Sequence, residues 1–264
     1  INKVSDKTEQ SVASFNQPIK VRLKYNPSGI KEDYLGAYRY DEISRNWNYV
    51  RGKVDKETKA VEFTTMHFSK YTVMEYHRTF SDLSGHWAKD DIEVMASRWV
   101  VKGVGGSNFA PEANVTRAEF VSMMVRALGL EYVPDESQKF NDVKPEHWFF
   151  KEIMAACQEG IVKGVGNGLF NPQENVTREQ IAVMLFRALQ KYGKVWELSY
   201  AEQEEVLSQY KDKSSISQWA KNEIAAIVKL GLMKGRSSTT VAPSDACTRA
   251  ESAVLIKRFM EIID

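Results

Sequence analysis

The chain is poor in the residues that would cross-link it or hold a metal. Among 264 residues there are two cysteines and four scattered histidines, His67, His77, His86 and His147. Such numbers do not suit a disulfide framework or a paired-cysteine metal site. No apolar run approaches the ~20 residues that span a bilayer, so no membrane insertion is expected. An excess of one charge is also missing, since 36 basic and 35 acidic residues leave a formal net charge of +1. Without a basic field, a nucleic-acid partner is not expected. There is no HExxH, GxSxG or P-loop, so no catalytic residue, metal or cofactor is expected and the chain reads as a non-enzyme. No Met opens the chain and no signal peptide is visible, which reads as the mature tail of a longer exported protein.

What is present is a unit written three times. It runs Trp87 to Arg117, Trp148 to Arg178 and Trp219 to Arg249. Sixteen residues after each Trp stands a Gly (Gly103, Gly164, Gly235), and twenty-four after it a Pro (Pro111, Pro172, Pro243). Each unit closes on Thr-Arg: Thr116-Arg117, Thr177-Arg178 and Thr248-Arg249. Repeats of this kind bury their apolar faces against one another, so function is expected on or between the copies. The cysteines fit the register. Cys157 takes the place of Ala96 and Val228, and Cys247 that of Val115 and Val176, so buried free thiols are expected.

Each copy reads as helix, Gly-containing loop, helix. Ala88, Ile92, Met95, Ala96 and Trp99 form a one-face apolar stripe, repeated by Phe149, Ile153, Ala156, Cys157 and Gly160, and by Ala220, Ile224, Ile227, Val228 and Gly231. Gly103, Gly164 and Gly235 are expected to end these first helices in a left-handed conformation. Trp99 suits the core or a groove wall. The second helices, Arg117–Leu128, Arg178–Leu189 and Arg249–Met260, are apolar on much of their circumference and belong inside a bundle. Thr116 with Glu119, Thr177 with Gln180 and Thr248 with Glu251 have the spacing of a capping box. Ser199 and Glu202 repeat it before a short helix near Tyr200–Gln209, in a connection ten residues longer than the first.

Arginine at a helix start opposes the macrodipole, so its presence in all three copies points to a second purpose. A guanidinium beside a helix N-terminus can grip a carboxylate with two prongs. Arg117, Arg178 and Arg249 are therefore candidate anchors for an acidic ligand group. The competing reading is an inter-repeat salt bridge to an acid such as Asp82, Asp142 or Asp212. Lys102, Lys163 and Lys234 precede the loop glycines and could add charge, although lysine is ordinary at a helix C-terminus.

The pattern Phe80-Ser81-Asp82…Trp87-Ala88…Lys102-Gly103…Phe109-Ala110-Pro111…Thr116-Arg117-Ala118-Glu119, with its counterparts in the other copies, resembles the S-layer homology repeat. The resemblance covers about two thirds of the chain. It implies a bundle of the three second helices with pseudo-threefold symmetry and grooves between lobes. It also implies a ligand, the pyruvate ketal on the terminal sugar of a secondary cell-wall polysaccharide linked to peptidoglycan. Trp87, Trp148 and Trp219 would then stack on a pyranose face, or else pack as core at the hinge. Gly103, Gly164 and Gly235, lacking Cβ, would let backbone amides approach a sugar. Copy three departs from the others, with Arg236-Ser237-Ser238-Thr239-Thr240 in its loop and Val241 in place of Phe109 and Phe170. Its loop therefore suggests a weaker contribution from Arg249.

Residues 1–79 have a different texture. Ile19, Val21, Leu23 and Tyr25 alternate with polar residues, and strand-like runs follow at Tyr34–Tyr40, Trp47–Val50, Ala60–Met66 and Tyr71–Tyr76. Turn-forming residues separate them. A small antiparallel, sandwich-like β domain is expected over 1–79, and the helical repeats over 80–264 (80–130, 140–190, 210–262), giving an α+β chain. The β part resembles the module often found before such repeats in Gram-positive surface proteins. His67-Phe68-Ser69 resembles a self-cleavage tripeptide of some β-domain proteins, without its demonstrated geometry. Asp90-Asp91 and Asp135-Glu136 read as solvated charge.

The expectation is therefore an extracellular, wall-associated chain, monomeric in solution, that anchors a secreted bacterial protein to a pyruvylated cell-wall polysaccharide. Two alternatives stay open: a protein–protein assembly module of an S-layer lattice, and the anchoring tail of an upstream surface enzyme.

Overall fold

A computed structural model describes residues 2–5, 8–11, 14–134 and 140–264, with backbone alone before residue 17 and at His67. The Asp135-Glu136 pair lies outside the described residues, as does the side chain of His67. The chain is α+β and divides into two compact units, Ile1–Thr79 with Glu93–Lys102, and Phe80–Ile92 with Gly103–Asp264.

In the first unit, β1 (Asn2–Ser5) and β2 (Thr8–Ser11) pair as a hairpin. The strands β3 (Ser14–Lys24), β4 (Leu35–Asp41), β5 (Asn46–Val50), β6 (Gly52–Asp55), β7 (Ala60–His67) and β8 (Tyr71–Glu75) follow. They form two antiparallel sheets, ordered β3-β7-β6 and β5-β4-β8. Ala37, Val61 and Phe63 are buried at the centre, with Val21, Leu23, Val50, Val54, Tyr71 and Val73 packed around them. These residues come from both sheets, which is the arrangement of a sandwich. The strand β6 was not anticipated, because Gly-Lys-Val-Asp offers one apolar residue and lies at a sheet edge. The unit also takes in the end of α1 (Lys89–Ser97). Tyr38 donates its hydroxyl to the Ser97 carbonyl at 2.8 Å, and the buried Glu93 carboxylate lies 3.2 Å from His77 Nε2.

The second unit contains α2 (Arg117–Leu128), α3 (Phe150–Gln158), α4 (Arg178–Lys191), α5 (Tyr200–Leu207), α6 (Lys221–Lys229) and α7 (Arg249–Ile263). The helices α2, α4 and α7 start where expected, each with its full capping box. Ser199 and Glu202 close the fourth box at α5. In α2, ten of twelve residues are buried, as a central helix requires.

The three copies close on each other through the backbone just ahead of these helices. Val115 N–H donates to Cys247 C=O, Val176 N–H to Val115 C=O, and Cys247 N–H to Val176 C=O. This triangle gives the bundle its pseudo-threefold character. It also explains the residue types, since Val115, Val176 and Cys247 are fully buried at its corners. Both thiols are free and buried, and burial pushes Cys157 up to about 11 and Cys247 up to about 12.

Candidate functional site

The loop joining the two helices of each copy is organised by an aspartate. Asp82 accepts hydrogen bonds from the amides of Phe109 at 2.9 Å and Ala110 at 2.7 Å. Asp142 does the same for Phe170 (2.9 Å) and Asn171 (2.7 Å), and Asp212 for Val241 (2.9 Å) and Ala242 (2.7 Å). Ala110, Asn171 and Ala242 have φ of 58°, 58° and 53°, a left-handed conformation that disfavours a side chain. The carboxylate holds this turn by satisfying two adjacent amides. Burial alone would raise Asp82, but the Phe109 and Ala110 amides outweigh it and keep the carboxyl below its usual range. The aspartates therefore hold their own copy's loop. An inter-copy salt bridge does form at Arg249, but to Glu119, whose Oε1 lies 3.4 Å from its Nη1.

The turn aims a carbonyl outward, and an arginine from another copy meets it. Arg117 Nε donates to Phe170 C=O at 3.0 Å, and its Nη2 reaches Lys163 C=O at 3.4 Å. Arg178 Nε donates to Val241 C=O at 2.9 Å and Nη2 to Lys234 C=O at 2.6 Å. Arg249 Nε donates to Phe109 C=O at 2.9 Å. Arg117 and Arg249 also lie over the rings of Phe170 and Phe109, at 4.7 and 4.8 Å, whereas Val241 gives Arg178 no ring. Hydrogen bonds from a charged donor contribute about 1.5–3 kcal/mol each. Each arginine thus clamps the loop of the following copy: Arg117 that of copy two, Arg178 that of copy three, and Arg249 that of copy one.

Two expectations change here. A Gly-rich loop and the arginine of the same copy do not form one groove, so the altered loop of copy three faces Arg178 and not Arg249. The helix N-termini are not open to an anion either. Their first two amides donate to the following copy, Arg117 to Glu174 C=O and Ala118 to Pro172 C=O, with the same pattern at Arg178 and Arg249. The third amide is held by the capping threonine. What each of these helix starts still offers an anion is the guanidinium group. They are largely enclosed, with Arg117 and Arg178 4% exposed and Arg249 6%.

Trp87, Trp148 and Trp219 are the opposite, at 64%, 58% and 54% exposed. Each is followed by a buried residue, Ala88, Phe149 or Ala220, which turns inward as the first helix begins and leaves the indole outside. Packing as core at the hinge does not describe them. Lys102, Lys163 and Lys234 are exposed.

Gly103, Gly164 and Gly235 are not left-handed, which corrects the expectation drawn from their position. The left-handed residues at the ends of the first helices come four earlier: Trp99 (φ 56°), Gly160 (φ 71°) and Gly231 (φ 71°). The loop glycines are required by close approach. A Cβ on Gly103 would meet Asn108 O at 2.6 Å and the Phe80 ring at 2.8 Å; on Gly164 it would meet Leu169 O at 2.7 Å and the Phe140 ring at 2.9 Å. In copy three the Tyr210 ring stands 2.9 Å from the corresponding point on Gly235. Trp99 is half-buried and packs edge-on against Tyr38 and Tyr76, closer to core than to a groove wall.

One residue was not singled out from sequence. Arg236 stands where the other copies carry Val104 and Val165, and it pairs with Asp245 and Glu251, each at 3.1 Å. The signal was its departure from the valine register. At the His67-Phe68-Ser69 tripeptide, neither Phe68 nor Ser69 has a positive φ.

Comparison with known proteins points one way. A family model described as the S-layer homology domain matches residues 79–121, 139–182 and 209–253. An amylopullulanase from Thermoanaerobacterium thermosulfurigenes is 36% identical over 247 residues, covering 93% of this chain and 13% of that protein. A surface-layer 125 kDa protein from Lysinibacillus sphaericus is 31% identical over 188 residues, 70% of this chain and 15% of that protein. A cellulosome-anchoring protein from Acetivibrio thermocellus is 32% identical over 164 residues, 61% of this chain and 35% of that protein. The chain thus spans a minor part of the length of these curated relatives.

Proposed function

The chain belongs to the S-layer homology family, and from that membership we propose that it anchors a protein non-covalently to the bacterial cell wall. Its ligand is the pyruvylated terminal sugar of a secondary cell-wall polysaccharide. The observation that carries this reading is a threefold pairing of unlike side chains: in each copy a Trp more than half exposed, and an Arg almost fully enclosed. An exposed indole offers a flat apolar face to a pyranose. An enclosed guanidinium is poised for one planar anion, because its charge is poorly solvated. Gly103, Gly164 and Gly235 keep the loop backbone low beside it, and Lys102 and Lys163 add positive charge. The named relatives are an amylopullulanase, a surface-layer protein and a cellulosome-anchoring protein, so different kinds of cargo are compatible with such an anchor.

The test is co-sedimentation of the purified chain with isolated cell walls, before and after mild acid removal of pyruvate ketals. Binding should be saturable and fall sharply on depyruvylation. Self-association in light scattering, with wall binding indifferent to pyruvate, would favour a lattice-assembly role; a monomer is expected.

A further inference from the structure

The three guanidinium groups sit in matching hydrogen-bonded frames but in different charge. The copy that each arginine clamps also presents its capping residue, and those residues are Gln180, Glu251 and Glu119. Glu119 divides its carboxylate. Oε2 accepts from the Thr116 amide at 2.8 Å, and Oε1 lies 3.4 Å from Arg249 Nη1. Arg249 is therefore already paired with an anion of its own chain.

Glu251 also caps its helix, with Oε2 2.9 Å from the Thr248 amide, but Arg236 has taken its other oxygen at 3.1 Å. Arg236 is fixed further by Asp245 at 3.1 Å and by the Ala246 carbonyl at 2.8 Å. Any anion approaching Arg178 consequently meets two carboxylates and a second, tied-down cation. Copies one and two have exposed Val104 and Val165 at the Arg236 position.

Gln180 caps through its neutral amide, with Oε1 3.3 Å from the Thr177 amide. Arg117 is thus left 4% exposed, with its Nε and Nη2 donors on carbonyls and no carboxylate within ion-pair distance among the described residues. An enclosed, unpaired cation is costly, and a bound carboxylate removes that cost. Burial, reinforced by the Arg187 charge, pushes Arg117 down to about 10, an effect that the more distant Asp142 carboxylate offsets only in part.

We infer that the chain has one strong carboxylate-binding groove, at Arg117 between copies one and two, and that Glu119 suppresses the groove of Arg249, and Glu251 together with Arg236 that of Arg178. This rests on the reading of an acidic sugar as ligand. It concerns which of three similar sites is used and which residues decide.

The test titrates the full chain by calorimetry with a soluble pyruvylated monosaccharide and with the same sugar lacking pyruvate. Each variant copies a residue from another copy, so caps and loop geometry should survive, and thermal midpoints check this. The wild type should show close to one strong site per chain, selective for the pyruvylated sugar. Gln180→Glu keeps the cap but adds the competing anion, and should weaken that site about tenfold or more. Glu119→Gln, and the double variant Arg236→Val with Glu251→Gln, should each raise the number of strong sites toward two; the pair of changes is needed because Arg236→Val alone would free Glu251 to pair with Arg178 as Glu119 does with Arg249. Three equal sites in the wild type, or a Gln180→Glu variant that binds unchanged, would overturn the ranking while leaving the ligand intact. No preference for the pyruvylated sugar in any of the four proteins would overturn the ligand reading, and the proposal with it.

Discussion

Arg117 donates its Nε proton to the carbonyl oxygen of Phe170, 3.0 Å away and one repeat further along the chain. Arg178 repeats the contact with Val241, and Arg249 returns it to Phe109, so the last copy holds the first. The tandem array is therefore closed into a ring, and each groove is built by two copies. Each arginine also has two duties, holding a loop and offering positive charge.

Removing such a side chain should show both duties. Arg117→Ala should weaken binding of the pyruvylated sugar by about 2–4 kcal/mol, the usual loss for a buried charged contact. It should also lower stability, since the Phe170 carbonyl loses its donor at a cost of about 1–3 kcal/mol. Arg117→Lys should recover part of each, because an ammonium lacks the planar fork. Calorimetry well below the unfolding midpoint separates the two effects; unchanged affinity in a folded variant would refute the anion role.

The tryptophans should behave differently. Trp148→Ala removes an exposed ring, so stability should move by no more than about 0.5 kcal/mol. Loss of a stacking face should weaken sugar binding by about 1 kcal/mol. Equal losses in folding and binding would show that the ring is structural.

The loop aspartate gives a pH signature. Asp82 has a folded pKa below its unfolded value, so its contribution to stability is present above the unfolded value and disappears as pH falls through the folded one. Denaturant unfolding of wild type and Asp82→Asn should therefore differ most at neutral pH and converge under acidic conditions. A gap of constant size across that range would mean that the carboxylate charge is not what holds the loop.

Two glycines separate crowding from backbone conformation. Gly164→Ala puts a Cβ 2.7 Å from Leu169 O and should cost about 1–3 kcal/mol through overpacking. Gly160→Ala meets nothing within 4 Å but must hold φ at 71°, and should cost about 1 kcal/mol. Thermal unfolding measures both, and the reverse order would contradict the crowding argument.

Much of the repeat unit was legible because its signals are local. Thr116, Thr177, Thr248 and Ser199 mark helix starts through hydrogen bonds spanning three residues, and all four boxes form as their spacing requires. The buried cysteines followed from register alone. What misled was sequence proximity. Gly103 follows the first helix closely enough to resemble its cap, yet the left-handed position belongs to Trp99, where no glycine advertises it. The edge strand β6 was invisible because one valine makes no pattern.

The sequence by itself determined the three-copy unit, the helix starts, the sandwich strands with a core alternation, and the residue types that could meet an acidic sugar. Those depend on spacing along a chain, which periodicity and capping chemistry record directly. Only the tertiary structure decided which arginine faces which loop. The Asp82 carboxylate spends its lone pairs on local amides, Trp148 is turned outward by its buried neighbour Phe149, and Arg249 finds Phe109 across 140 positions. Ring closure joins residues whose separation carries no local signal, and packing of the copies around one axis sets it.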